Sequence, residues 1–130
     1  MRTAVITFTY NEAVNLPIWI RHYGANFGEE NLFVADRGSD DGSLTTIGSA
    51  NLLRLPRNEF DEFEKTNFIS SFHRSLLNFY DTVIISDCDE LLVPDPLKYQ
   101  SLRHYVETAS FDYVNCVGLE ILHILSLIHI

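Results

Sequence analysis

Apolar and polar positions follow two different periods along the chain, and together they predict strands that alternate with helices. Short runs rich in apolar and β-branched residues predict strands over residues 3–9, 31–35, 51–55, 82–85 and 112–117. Helical spacing predicts helices over residues 15–28, 42–47, 62–80 and 102–108. This alternation is typical of βαβ units, so the predicted fold class is α/β, with a largely parallel, Rossmann-like sheet flanked by helices.

The first helix carries sequence signals at both ends. Asn15 is its predicted N-terminal cap, and Pro17 falls in the first turn, where proline is tolerated. Gly28 suits the end of the helix, because glycine adopts the backbone conformation that stops one.

Three acid-rich segments follow predicted strands, at residues 9–12 (TYNE), 36–43 (DRGSDDGS) and 87–90 (DCDE). In parallel sheets ligands bind beyond the carboxyl ends of the strands, so we expect the three segments to converge on one edge. Converging carboxylates repel one another unless a positive charge lies between them, and a hard divalent cation is the simplest candidate. Asp87 and Asp89 are two positions apart, so both point the same way in extended backbone.

Each acidic segment also has a plain structural interpretation, as a solvated turn or as the cap of a helix. This alternative is strongest for residues 36–43, whose Asp, Gly and Ser are turn residues in any case, and weakest for Asp87 and Asp89. Other kinds of site lack their signatures. The sequence has no Cys and His cluster at zinc spacing, no Gly-x-Gly-x-x-Gly, no Gly-x-x-x-x-Gly-Lys and no Gly-x-Ser-x-Gly.

Composition narrows the classes of partner. The 130 residues, 46% of them hydrophobic, suit one domain, and the net charge of −9 argues against a nucleic-acid-binding protein, which needs a basic face. Cys88 and Cys116 form no disulfide pattern and no signal peptide precedes the first strand, so a cytoplasmic, reducing setting is expected. No apolar run is long and clean enough to predict a transmembrane segment.

Three motifs resemble, in order and spacing, those of the family 2 glycosyltransferases, which have the GT-A fold. They are VITFTYNEAVNL, FVADRGSDDGS and VIISDCDELLVPDP, and the last resembles the family's Asp-x-Asp motif. The resemblance covers about residues 3–96 and is greatest for the branch whose Asp-x-Asp is followed by Glu and LLVPDP. It implies an inverting transferase with a nucleotide-diphosphate sugar as donor, a UDP-sugar being favoured, and an unknown acceptor.

The resemblance also implies roles for individual residues. Asp36 matches the acid that contacts the nucleotide base, and Tyr10 and Glu12 match residues that line the same pocket. Asp87 matches the acid near the ribose and the metal, and Asp89 matches the acid that ligates the metal, Mn²⁺ or Mg²⁺. Such a cation offsets the charge of the leaving diphosphate.

Two positions depart from the family pattern, and two basic residues lie close to it. Arg37 stands where the family often has Asp or Asn, and Glu90 stands where many members have a further Asp. Lys65 and Arg74 lie on the helix before the Asp-x-Asp strand. Surface solvation is the favoured role of both, and a phosphate contact is the alternative.

Two rival functions stay open. A strand that runs into Asp-Cys-Asp also resembles the first motif of haloacid dehalogenase-like phosphatases, in which Asp87 would be the nucleophile and Asp89 a general acid. That motif usually lies near the start of its domain, and it would leave the other two acidic segments unexplained. The other rival is a non-catalytic remnant that binds a nucleotide sugar.

The end of the sequence departs from a complete GT-A domain. Residues 1–118 are interpreted as an incomplete nucleotide-sugar-binding part, and residues 119–130 as a tail. Residues 125–130 (LSLIHI) match one reading frame of a common transposase adapter and are expected to be non-native; the alternative is a short amphipathic strand. The catalytic base is unknown, because it follows the Asp-x-Asp motif in the family and no later acid here stands in a matching context. We therefore expect weak metal–nucleotide binding and no sugar transfer.

Overall fold

A sheet of four parallel strands forms the centre of the computed structural model, which describes residues 1–110, 112–114 and 116–120. The strands are β1 (Thr3–Thr9), β2 (Leu32–Asp36), β3 (Asn51–Arg54) and β4 (Thr82–Ile85). Their order across the sheet is β3-β2-β1-β4. The predicted α/β class and parallel sheet are confirmed, and β1 and β4 have their predicted bounds.

Helices fill the connections between the strands. The α-helices are α1 (Asn15–Phe27), α2 (Glu62–Leu76) and α3 (Leu102–Thr108), and two short 3-10 helices span Glu29–Asn31 and Ser43–Thr46. Asp61 and Ser101 begin α2 and α3, because their side-chain oxygens accept hydrogen bonds from amides of the first turn. The bounds of α3 are those predicted, and a 3-10 helix replaces the helix predicted over 42–47.

Two hydrophobic clusters cover opposite faces of the sheet. One packs α1 against the first face, and its buried members include Val5, Leu16, Trp19, Tyr23 and Val34. The other packs α2 against the second face, and its buried members are Ala4, Ile6, Ile69 and Leu76. Successive residues of β1 therefore belong to different clusters, as the two-residue period of a strand requires. Helices on both faces give a Rossmann-like, doubly wound layout.

The direction of winding reverses at β1. The chain runs from β1 through β2 to β3 on one side of the sheet, and then returns to place β4 on the other side of β1. The carboxyl ends of β1 and β4 therefore mark the topological switch point of the sheet. Ligands of open α/β sheets bind at such points.

The predicted cap of α1 is wrong. Val14 holds the cap position without a side-chain hydrogen bond, and Asn15 is the first helical residue. Asn15 instead donates from Nδ2 to Glu12 Oε2 at 2.9 Å, so its amide serves the preceding loop and not the helix end.

Other element ends differ from the prediction by small amounts, with one exception. β2 and β3 differ from their predicted bounds by one residue. The helix predicted over 62–80 ends at Leu76, although its apolar spacing continues to Phe79. The chain turns there because Thr82 has to reach its register position beside Thr3 at the start of β1.

The strand predicted over 112–117 is wrong for the residues that the structure describes in this range, since residues 112–114 and 116–117 form no strand. Tyr113 and Val117 are 80% and 88% exposed. An apolar, β-branched composition is insufficient by itself, because a strand is stabilised by pairing and packing that these residues do not make with the sheet. The described residues end at 120, so the tail predicted to be non-native lies outside them.

Substituting the register partners Ile6 and Ile85 should give very different losses of stability. Ile6 of β1 is fully buried between the sheet and α2, whereas Ile85 is 49% exposed on the edge strand β4. Ile6→Ala leaves a cavity and should lower the free energy of unfolding by about 2–5 kcal/mol. Ile85→Ala should lower it by about 1 kcal/mol or less. Urea unfolding of both variants measures the difference, and equal losses would contradict the described layers.

Candidate functional site

Hydrogen bonds join the first loop (residues 10–13, after β1) to the second loop (residues 36–43, at the end of β2). Asn11 Nδ2 donates to Asp40 Oδ1 at 3.0 Å, and Asn11 Oδ1 accepts from the Asp40 amide at 2.9 Å. The Ala13 amide donates to an Asp41 carboxylate oxygen at 3.2 Å. These two acidic segments therefore lie together at the carboxyl edge of the sheet.

The backbone of Asn11 has a left-handed conformation. Among the described residues it is the only non-glycine residue with a positive φ, at 51°. Asn tolerates this conformation better than most residues, and the paired bonds to Asp40 hold it. The sequence did not single out Asn11 as the residue that joins these two loops.

The carboxylates of the second loop hold the loop itself together. Asp36 is 1% exposed, and its Oδ2 accepts the amides of Gly38 and Ser39 at 3.0 Å each, while Oδ1 accepts the Ser39 hydroxyl. The Ser43 amide donates to Asp41 Oδ1 at 3.0 Å, and the polar side chain and amide of Ser43 lower the pKa of Asp41. The plain interpretation of residues 36–43, as a hydrogen-bonded turn, thus accounts for where Asp36 and Asp41 lie.

Arginine side chains stack on aromatic rings beside these loops. The guanidinium carbon of Arg57 lies 4.0 Å from the ring centroid of Tyr10, and that of Arg37 lies 4.8 Å from the centroid of Phe60. A cavity of about 170 Å³ opens beside Arg37 and Phe60, and its lining includes Phe8, Lys65 and Phe68 as well as the acids Glu59, Asp61 and Glu64. Positive side chains thus border an edge whose loops are acidic.

The third loop (residues 86–92, after β4) is anchored to α1 by buried polar groups. The Tyr23 hydroxyl donates to Ser86 Oγ at 2.9 Å and accepts from the Leu92 amide at 2.9 Å. Ser86 Oγ in turn donates to the Glu90 carbonyl at 2.7 Å, and His22 Nε2 lies 2.9 Å from the Leu92 carbonyl oxygen. Burial raises the pKa of Tyr23, which keeps this hydroxyl protonated.

The Asp-x-Asp segment alternates between exposed and buried side chains. Cys88 is buried in the α1 cluster, while Asp87 and Asp89 on either side of it are exposed. Burial raises the pKa of the Cys88 thiol to about 12, and the negative charges of Glu12, Asp89 and Asp87 add to the effect. The Glu12 carboxylate of the first loop is therefore close enough to Cys88 of the third loop to raise the pKa of its thiol.

Lys65 contacts the Asp-x-Asp segment from α2. Its Nζ lies 3.7 Å from Asp87 Oδ1, and its side chain is 23% exposed, against 57% for Asp87. The favoured prediction of surface solvation is therefore wrong for Lys65. It holds for Arg74, which is exposed near the far end of the same helix. Lys65 and Arg74 are both basic residues of α2, so the sequence does not distinguish them. The structure does, because only Lys65 lies beside the carboxyl ends of the strands.

The donor set at Asp87 and Asp89 suits a cation that a ligand helps to hold. Within the described residues, no group of three or more His, Cys, Asp or Glu side chains could hold a metal ion. Mg²⁺ typically takes one or two protein carboxylates and completes its shell with waters and substrate phosphates. The two exposed carboxylates of Asp87 and Asp89 fit that mode of binding.

Comparison with known proteins gave no match to a family model, to a curated protein or to a solved structure. In the part of the chain that the structure describes, the helices are all too short or too polar to cross a membrane.

Removing the Tyr23 hydroxyl should destabilise the protein. Tyr23→Phe leaves the Leu92 amide without its acceptor and removes the hydrogen bond to Ser86 Oγ, at a cost of about 1–3 kcal/mol in the free energy of unfolding. Tyr113→Phe is the matched control, because that ring is 80% exposed. Denaturant unfolding measures both variants, and equal stabilities would show that the Tyr23 hydrogen bonds do not hold the loop.

The two cysteines should react at very different rates. At pH 8 the thiol of Cys88 forms about a thousandfold less thiolate than at its ordinary pKa of 9.0, because its pKa is about 12 and the thiolate is the reactive form. Iodoacetamide should therefore modify the exposed Cys116 and spare the buried Cys88. Mass spectrometry of peptides identifies the site, and both should react in urea. Equal rates in the native protein would refute the described burial.

Proposed function

We propose that this chain is the donor-binding part of a GT-A glycosyltransferase that binds a nucleotide-diphosphate sugar through a divalent cation. One observation carries the proposal: the Asp-x-Asp segment begins at the end of β4, at the switch point between β1 and β4. This is where an open α/β sheet offers a crevice to a ligand. A UDP-sugar is the proposed donor.

The cation, Mn²⁺ or Mg²⁺, would be held by Asp89 and Asp87 together with the diphosphate. Both side chains are exposed while the backbone around them is anchored by Tyr23 and Ser86, so they are available to a ligand without loss of core packing. When bound, the cation would offset negative charge on the diphosphate as it leaves the sugar. It would also let a protein of net charge −9 retain an anionic ligand.

The nucleoside is assigned to the first two loops. Tyr10 offers an aromatic ring, one face of which is covered by the Arg57 guanidinium, and Glu12 extends the first loop toward the third. Asp36 is the proposed contact for a base N–H. Asp36 is 1% exposed and both of its carboxylate oxygens already accept hydrogen bonds, so a base N–H would reach Oδ1 only if the Ser39 hydroxyl turned aside.

No described acid is assigned as the catalytic base. Glu107 is paired with Arg103 on α3, with Oε1 and Nε 2.9 Å apart, and that helix lies outside the three loops. The proposal therefore concerns donor binding alone.

The proposal predicts that nucleotide binding depends on the cation and on Asp89. UDP affinity in Mn²⁺ should fall about 100-fold in Asp89→Ala, which is about 2.7 kcal/mol, because the cation loses a carboxylate ligand. Glu30→Ala removes the same charge from an exposed position beside the amino-terminal end of β1, away from the three loops, and should leave the affinity unchanged. Calorimetry in Mn²⁺ and in a chelator measures both effects. Equal UDP affinity of the unsubstituted chain in the two buffers would refute a cation-held diphosphate.

One further assay separates the rival functions. Incubation with a panel of nucleotide sugars tests for cleavage of the bond between the sugar and the diphosphate. A separate incubation with p-nitrophenyl phosphate tests for hydrolysis of a phosphate monoester. Release of phosphate that Asp87→Asn abolishes would support the phosphatase and overturn the transferase. Cation-dependent nucleotide binding without phosphate release supports donor binding.

A further inference from the structure

Lys65 lies in an unusual position for a lysine of a solvated helix face. Its side chain is only 23% exposed, its Nζ lies 5.6 Å from the ring centroid of Phe8, and the same Nζ lies 3.7 Å from Asp87 Oδ1. The ammonium is thus placed between the end of β1 and the start of the third loop. Burial of a charged ammonium is unfavourable without a partner, and Asp87 supplies the partner.

A divalent cation at Asp87 would compete with this ion pair. The carboxylate that the proposed function assigns to the cation already has the Lys65 ammonium beside it. Two positive charges at one partly exposed carboxylate repel each other, so the cation can bind well only if the ammonium moves or finds another negative group. A bound diphosphate provides such a group.

The surroundings of Lys65 allow that movement. Lysine is a compact charge on a flexible stem, and it binds phosphate as a point charge. Lys65 lines the cavity of about 170 Å³ together with Arg37 and with the acids Glu59, Asp61 and Glu64. The ammonium can therefore turn from Asp87 and stay in a polar setting, and a diphosphate bound at the Asp-x-Asp segment would lie within reach of its flexible stem.

We propose that Lys65 couples the binding of cation and diphosphate. Without nucleotide, it neutralises Asp87 and weakens cation binding; with nucleotide, it contacts phosphate and leaves Asp87 to the cation. This inference rests on the proposed donor-binding function and adds a mechanism by which neither component binds well alone. By linkage, the factor by which the diphosphate strengthens cation binding equals the factor by which the cation strengthens diphosphate binding.

A simpler interpretation makes different predictions. If the ion pair only stabilises the fold, removal of Lys65 changes the unfolding transition by a small amount, as for most partly exposed pairs. It then leaves the coupling between cation and nucleotide unchanged. The coupling factor therefore distinguishes a positioning role from a structural one.

The test is a set of calorimetric titrations of the full chain with Mn²⁺ alone, UDP alone, and UDP in saturating Mn²⁺. Lys65→Met keeps the length of the stem and removes the charge. It should bind Mn²⁺ alone about 3- to 10-fold tighter, and its coupling factor should fall at least about fivefold, the low end of ordinary allosteric couplings. Free Mn²⁺ can be followed independently by its electron paramagnetic resonance signal.

Arg74→Met is the matched control, because it removes a positive charge from the same helix about 14 Å further along. It should reproduce the values of the unsubstituted chain. If Lys65→Met melts at a much lower temperature, Lys65→Gln replaces it in the same titrations, and Lys65→Arg should retain most of the coupling.

The possible results separate the two proposals. Mn²⁺-dependent UDP binding with the same coupling factor in Lys65→Met and Arg74→Met overturns the role of Lys65 and leaves the proposed function standing. Absence of Mn²⁺-dependent UDP binding in the unsubstituted chain overturns both. Tighter Mn²⁺ binding together with a reduced coupling factor, in Lys65→Met alone, supports the inference.

Discussion

The pairing of β1 with strands on both of its sides is the constraint on which the rest of the structure depends. β1 forms parallel ladders with β2 and β4, and its residues Ala4, Val5 and Ile6 are completely buried. Because alternate side chains enter opposite clusters, one strand anchors both α1 and α2. The same double pairing creates the reversal of winding beyond Thr9, and the third loop starts beside it.

The fold was predictable from the sequence wherever the chain's local pattern and its tertiary environment agree. β1, β4 and α3 have the predicted bounds because their apolar runs are flanked by clear turn or cap residues. The apolar spacing gave the wrong end for α2. That end is set by the register in which β4 pairs with β1, which the local sequence does not show. The pattern failed again over residues 112–117, whose composition favours a strand although no sheet edge pairs with the described part.

The candidate site was predictable in outline and not in its internal contacts. Spacing along the sequence places acids after strands, but it does not tell which carboxylates are consumed by their own loop. Asp36 and Asp41 accept hydrogen bonds from neighbouring residues, whereas Asp87 and Asp89 face outward. Lys65 could not be told from Arg74, because the difference between them is their distance from a strand end, which only the packing of α2 on the sheet defines.

In the third loop, the residues that hold the backbone in place are different from the residues that are exposed to solvent. Tyr23 and Ser86 bond largely to backbone groups, and Cys88 packs into the core, so none of these contacts depends on the identity of the exposed side chains at 87, 89 and 90. Exposed positions tolerate substitution far better than buried ones. Such a loop can change its exposed residues one at a time while its backbone path stays the same. Selection can therefore alter the side chains that the loop presents to solvent without first having to rebuild the fold.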